Sequence, residues 1–185
     1  MRKFGVLCLV AAVLLMGCSY PRTGDEESMK TYESYIDAVI SNQGIESTMI
    51  PFDYDFHVYK MEDDTYEYEI AIFDPSVAMY NITAIAVNPK LDSNTNVHPC
   101  LGILGADAQE SFHMVPYQSN PQKGFYRGFV LEGISTESQF TLQVMVCWKD
   151  SALLKEQRVF FNVHFALEAD DTAVGEKETR VRSEE

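Results

Sequence analysis

Phe140-Thr141-Leu142-Gln143-Val144-Met145-Val146-Cys147-Trp148 decides the fold class, because Phe140, Leu142, Val144, Val146 and Trp148 recur at every second position. Successive side chains of a strand point to opposite faces, so a period of two predicts a half-buried strand. Asp150-Ser151 follows as a turn signal. The pattern then returns over 156–167, with Val159, Phe161, Val163, Phe165 and Leu167 on one face and Arg158, Asn162 and His164 on the other. Two such runs joined by a short turn predict an antiparallel pair.

Working back toward the N-terminus, Phe52–Met61 and Thr65–Phe73 flank the acidic turn Glu62-Asp63-Asp64, and Met79–Val87 ends at Asn88-Pro89. Cys100–Leu104, Phe112–Tyr117 and Phe125–Leu131 are shorter candidates. Gly133-Ile134-Ser135-Thr136-Glu137 reads as a loop. Short strands separated by turn residues predict a mainly β fold. The expectation is an antiparallel immunoglobulin-like β-sandwich of about 7–8 strands over residues 49–168, preceded by a short α-helix. The Cys–Trp–Cys arrangement of antibody domains is missing, since Trp148 directly follows Cys147.

The helix is predicted over 28–44. Met29, Tyr32, Ile36, Val39 and Ile40 follow helical spacing, Ser28 is placed to cap the start, and Gly44 suits the stop. Its apolar stripe is expected to dock on the main domain. Residues 169–185 are rich in acidic and poor in apolar side chains, which predicts a disordered tail.

The first residues have a different chemistry. Met1-Arg2-Lys3 precedes a 13-residue apolar run, Phe4 to Met16. Crossing a bilayer takes ~20 residues, so the run is too short to span and has the pattern of a secretory signal peptide. Leu15-Met16-Gly17-Cys18 resembles the lipobox of bacterial lipoproteins, in which a small residue precedes an invariant cysteine. Met16 departs from the usual occupant of its position, while Gly17 and Cys18 keep the key pair. The resemblance covers residues 1–18. It implies removal of 1–17 at the Gly17–Cys18 bond, acylation of Cys18, and a lipidated tether over 18–27 holding the domain outside the cytoplasmic membrane. In a Gram-negative cell, Ser19 is compatible with sorting to the outer membrane.

Removing 17 of the 185 residues leaves 168, enough for one domain with its own core. Loss of Arg2 and Lys3 takes the net charge from −14 to −16. Such acidity disfavours nucleic acid and anionic lipid headgroups, leaving the lipid on Cys18 as the membrane attachment. Cys100 and Cys147 fit either one disulfide or two buried thiols, and the reading leans to free thiols.

Motifs for catalysis are sparse. The four histidines, His57, His98, His113 and His164, form no H-E-x-x-H pattern. Gly133 to Glu137 begins like a G-x-S-x-G elbow and fails at its last position, and Gly102-Ile103-Leu104-Gly105 has the wrong spacing to cradle phosphate. Asp53 with Asp55, and the turn carboxylates, are candidate calcium ligands that solvation explains as well; no metal and no cofactor is expected. Tyr54, Tyr59, Tyr66 and Tyr68 are the candidate contact residues. Tyr66 and Tyr68 share a strand face opposite Glu67 and Glu69, so they pack the core if the glutamates meet water. Any that are exposed would form a stacking platform for sugar rings or a protein-binding patch. The expected function is a non-catalytic, membrane-anchored module that binds a protein in the cell envelope. The alternative is a glycan- or small-ligand-binding surface lipoprotein, and an envelope hydrolase comes last.

Overall fold

A computed structural model describes residues 23–91, 96–104, 111–167 and 181–182. The signal segment, Cys18 and most of the acidic tail lie outside the described residues. Helix α1 (Thr23–Ser41) leads into strands β1 (Asp53–Lys60), β2 (Tyr66–Phe73), β3 (Tyr80–Val87), β4 (Cys100–Leu101), β5 (Gly128–Ser135), β6 (Gln139–Lys149), β7 (Glu156–Ala166) and β8 (Val181–Arg182). They form two antiparallel sheets, in the orders β5-β2-β1-β8 and β4-β3-β6-β7. With β1, β2, β3, β5, β6 and β7 standing as strands A, B, C, E, F and G, and β4 as C′, this is the order of an immunoglobulin-like sandwich.

The period of two explains the packing. Phe56, Val58, Tyr68, Ile70 and Ile72 from one sheet meet Ile82, Ala84, Leu142, Val144, Val146, Phe161 and Val163 from the other, all buried. Burial of this kind contributes about 25 cal/mol per Å² of apolar surface and supplies most of the fold's stability. The other side of β6 is apolar as well. Met145 and Cys147 join Ile85, Val87 and Ile103 in a second buried cluster, covered by Tyr32, Ile36 and Val39 of α1. The β3–β6 sheet is therefore buried on both faces.

Several boundaries differ from the sequence reading. Helix α1 starts at Thr23, so Ser28 lies inside it and residues 23–27 of the expected tether are helical. The docked stripe is Tyr32, Ile36 and Val39, while Met29 and Ile40 are exposed. Gly44 does sit at the stop, with a φ of 72° and its carbonyl accepting the Asn162 Nδ2–H at 2.8 Å. Phe112–Tyr117 is not a strand; it contributes single bridges such as Met79 to Met114. β4 ends at Leu101 because Gly102 turns with a φ of 69°.

The segment read as a loop after Leu131 is instead the second half of β5. Gly133 breaks the apolar alternation there for a steric reason. It lies opposite Tyr68, and a Cβ on it would collide with the phenol. In the expected disordered tail, Val181–Arg182 pairs with Phe56 and Asp55 of β1, while 168–180 and 183–185 lie outside the described residues. An open strand edge carries unpaired N–H and C=O groups, which even two residues can satisfy.

Cys100 and Cys147 are not joined by a disulfide. Cys100 lies opposite Ile85 and Cys147 opposite Thr83, so they flank β3 from its two neighbours. Non-adjacent strands are separated by two spacings, about 9.5 Å. A disulfide requires Cα atoms within about 7 Å, so the bridge is excluded by register. Among the described residues no helix is long and apolar enough to cross a membrane.

Candidate binding surface at one end of the sandwich

Three connections meet at one end: β2 to β3 (74–79), the long approach to β5 (111–127), and the β6–β7 hairpin (150–155). In a variable-type sandwich, binding loops occupy this end. Backbone strain concentrates there. Of the six non-glycine residues with positive φ among the described residues, four belong to this end: Asp74, Asn81, Tyr117 and Leu153. For a bulky residue such a conformation costs on the order of 1–3 kcal/mol and persists only where the surroundings impose it.

The 111–127 segment shows what imposes it. Met79 and Met114 exchange two backbone hydrogen bonds, at 2.8 and 2.9 Å, which tie the segment to the approach to β3. The segment then folds back on itself: the His113 N–H donates to Gly124 O at 2.8 Å and the Tyr126 N–H to His113 O at 2.9 Å. Gly124, at φ 76°, is required here, since a Cβ would run into the Ser111 carbonyl oxygen. His113 Nδ1 accepts the Asn81 N–H at 3.0 Å, and its ring lies 5.0 Å from Phe125 and 5.3 Å from Tyr80. Burial lowers the pKa of His113, favouring the neutral ring that this acceptor role needs. Phe112 and Tyr126 stack at 5.0 Å.

On this base Tyr117 is fully exposed at φ 62°. Leu154 is 89% exposed on the β6–β7 hairpin, with Val77 and Leu153 also exposed at the same end. Asp150 holds that hairpin, its Oδ1 accepting the Leu154 N–H at 3.1 Å. Beside Tyr117 lies a depression of about 260 Å³ lined by Asp74, Pro75, Val115, Gln118, Ser119, Tyr126 and Arg127. It is smaller than an ordinary small-molecule pocket and pairs two phenol rings with one acidic and one basic side chain.

The residues singled out from sequence are dispersed. Tyr66 and Tyr68 are buried between the sheets, with Glu67 and Glu69 on the opposite face, so neither belongs to a stacking platform. Burial pushes Tyr68 up to about 12. Tyr54 is half-buried, stacked on Phe161 at 4.3 Å, and burial likewise raises its pKa. Of the four tyrosines only Tyr59 is exposed, on the outer face of β1 next to His57. Exposed His164 meets Thr141 Oγ1 at 2.9 Å. His98 is buried, and its backbone N–H donates to Tyr32 Oη at 2.6 Å.

The acidic turn is satisfied internally. Asp63 Oδ1 accepts from the Thr65 N–H and hydroxyl, and Asp64 pairs with Lys60 at 2.8 Å. Among the described residues no three His, Cys, Asp or Glu side chains gather as a metal site. Tyr117 was not among the candidate contact residues because Phe112–Tyr117 reads from sequence as a short strand; Asn120-Pro121 and Gly124 mark only the turn that follows it. Comparison of the chain with protein-family models, with curated proteins and with solved structures returns no match.

Proposed function

We propose that the chain is an exported lipoprotein anchored through Cys18, whose sandwich is a non-catalytic module that binds a protein of the cell envelope at its β2–β3, 111–127 and β6–β7 end. The observation that carries this reading is Tyr117, a bulky aromatic held exposed in the left-handed region by a hydrogen-bonded base. An ordered, exposed aromatic loses little entropy on contact, which is why tyrosine is favoured at binding surfaces. Leu154 and Val77 add apolar area at the same end. The depression favours one second reading: Tyr117 and Tyr126 beside Asp74 and Arg127 would suit a single sugar ring, making the ligand a glycan.

Proximity crosslinking of the native protein in its own cells, followed by mass spectrometry, tests both. Protein binding predicts one reproducible envelope partner whose capture is lost with Tyr117→Ser or Leu154→Ser. Retention on cell-wall glycan, lost with the same substitutions, would replace it with the second reading. Capture indifferent to both substitutions would remove this end as the site. Anchoring is tested separately: Cys18→Ala should accumulate as uncleaved, unacylated precursor, and normal cleavage of that variant would sink the lipoprotein assignment.

A further inference from the structure

The sandwich protects its strand edges unequally. β1 is paired on its outer side by β8. The edge of β7 is covered by the chain leaving α1: the Ser47 N–H donates to Phe160 O at 2.8 Å, and the Phe160 and Asn162 N–H groups donate to Ser47 Oγ and Glu46 Oε1. β4 is only two residues long. β5 is different. It runs eight residues in unbroken register with β2, from Gly128 opposite Phe73 to Ser135 opposite Tyr66, and contains neither proline nor lysine. Among the described residues nothing pairs with its far side, the position that strand D takes in constant-type sandwiches. A long, regular, unpaired edge is a template for an added strand.

We propose that the outer edge of β5 receives an extended segment of a partner protein whose solvent-face residues alternate apolar, basic, apolar. The side chains of β5 set that pattern. On the open face Val130 and Ile134 are 45% and 67% exposed, with the exposed Glu132 between them. Glu132 lies directly opposite Glu69 of β2, so two like charges stand side by side in one cross-strand row. Like charges in that position repel, and a lysine or arginine arriving on the other side of Glu132 would offset the repulsion. Apolar residues two positions away on the incoming strand would cover Val130 and Ile134. A second copy of this chain is a poor occupant, because its own β5 would bring another Glu132 and Glu69 to the same edge.

The inference is independent of the loop end, and a peptide titration against the full chain in detergent micelles tests it. The probe is the fluorescent peptide Thr-Ser-Ile-Thr-Lys-Thr-Val-Ser-Thr, with a second peptide carrying Glu in place of Lys. The lysine peptide should bind and slow amide hydrogen exchange within 128–135. Glu132→Lys, a change at an exposed position, should weaken the lysine peptide about fivefold to tenfold and strengthen the glutamate peptide. Tyr117→Ser should change neither, so failure here and failure of the loop-end reading are distinguishable. No binding at millimolar peptide, binding indifferent to the charge exchange, or binding without protection of 128–135 would each overturn the proposal.

Discussion

The two sheets present opposite chemistry on their outer faces. On the β4-β3-β6-β7 sheet the outward positions include Ile85, Val87, Met145 and Cys147, and α1 covers them. On the β5-β2-β1-β8 sheet the outward rows are Asp55–Ala71–Val130, His57–Glu69–Glu132 and Tyr59–Glu67–Ile134. No helix covers this face among the described residues. Both sheets use the same alternation toward the shared core. What differs is whether the alternate residues are apolar or charged, and that decides which sheet acquires a third layer.

Breaking the covered face should have the largest effect. Ile36 is 5% exposed and packs in the cluster beneath α1. Ile36→Asp removes that apolar contact and places a carboxylate where no water replaces its hydration, a loss of roughly 3–5 kcal/mol. Urea unfolding followed by circular dichroism should show the loss. A change below about 1 kcal/mol would mean that the helix contributes little to holding the β3–β6 sheet.

Legibility in sequence follows the same division. β6 and β7 were readable because long apolar alternation has one geometric solution, and the helical stripe was readable from its spacing. Cover on both faces of β6 was not read: the alternation predicts a half-buried strand, whereas Met145 and Cys147 on its other face are buried beneath α1. Tyr66 and Tyr68 could be placed inward by their alternation with Glu67 and Glu69. β5 was misread because Gly133 answers to Tyr68, a contact made only once the strands pair. The short β8 pairing and the exclusion of a Cys100–Cys147 bridge likewise depend on register. The loop end was the least legible, since Asp74, Tyr117 and Arg127 are distant in sequence and meet only through the Greek-key path.

Proton binding separates the core from the surface at an intermediate magnitude. The Tyr68 phenol, buried between the sheets, is held neutral up to about 12, against an ordinary value of 10.0. Burial also raises Tyr32 and Tyr35, in and beside the helix-covered cluster. In the unfolded chain these groups lose their protons near 10, so at higher pH the unfolded state binds fewer protons than the folded one. Stability must then fall as pH rises from about 10 to 12, by roughly 2–3 kcal/mol for Tyr68 alone. His98 and His113 act at the other limit. Burial lowers both, so the unfolded chain takes up protons first and stability falls as pH drops below about 6.5. Thermal melts across pH should therefore show a plateau between these limits, and Tyr68→Phe should flatten the alkaline limb. An alkaline limb unchanged by Tyr68→Phe would contradict burial of that phenol.

The smallest effect should come from the open face, and there its sign matters more than its size. Glu69 lies between His57 on β1 and Glu132 on β5. Glu69→Lys replaces the Glu69–Glu132 repulsion with an attraction, at a position that is only partly buried. The expected change is a gain of about 0.5–1 kcal/mol, shrinking as salt is added. A sequence that keeps two glutamates opposite each other beside the open edge of β5 forgoes that gain. The repulsion also keeps copies of the chain from pairing there, since an acidic edge rejects another acidic edge. Glu69→Lys should therefore raise the melting temperature while making the protein more prone to self-association at low salt. Sedimentation velocity at matched concentrations reads the second effect directly. Stabilisation without added self-association would show that the charge pair does not guard the β5 edge. Destabilisation would show that Glu69 is held by a favourable partner, and would break the contrast between a face built to be covered and a face built to stay open.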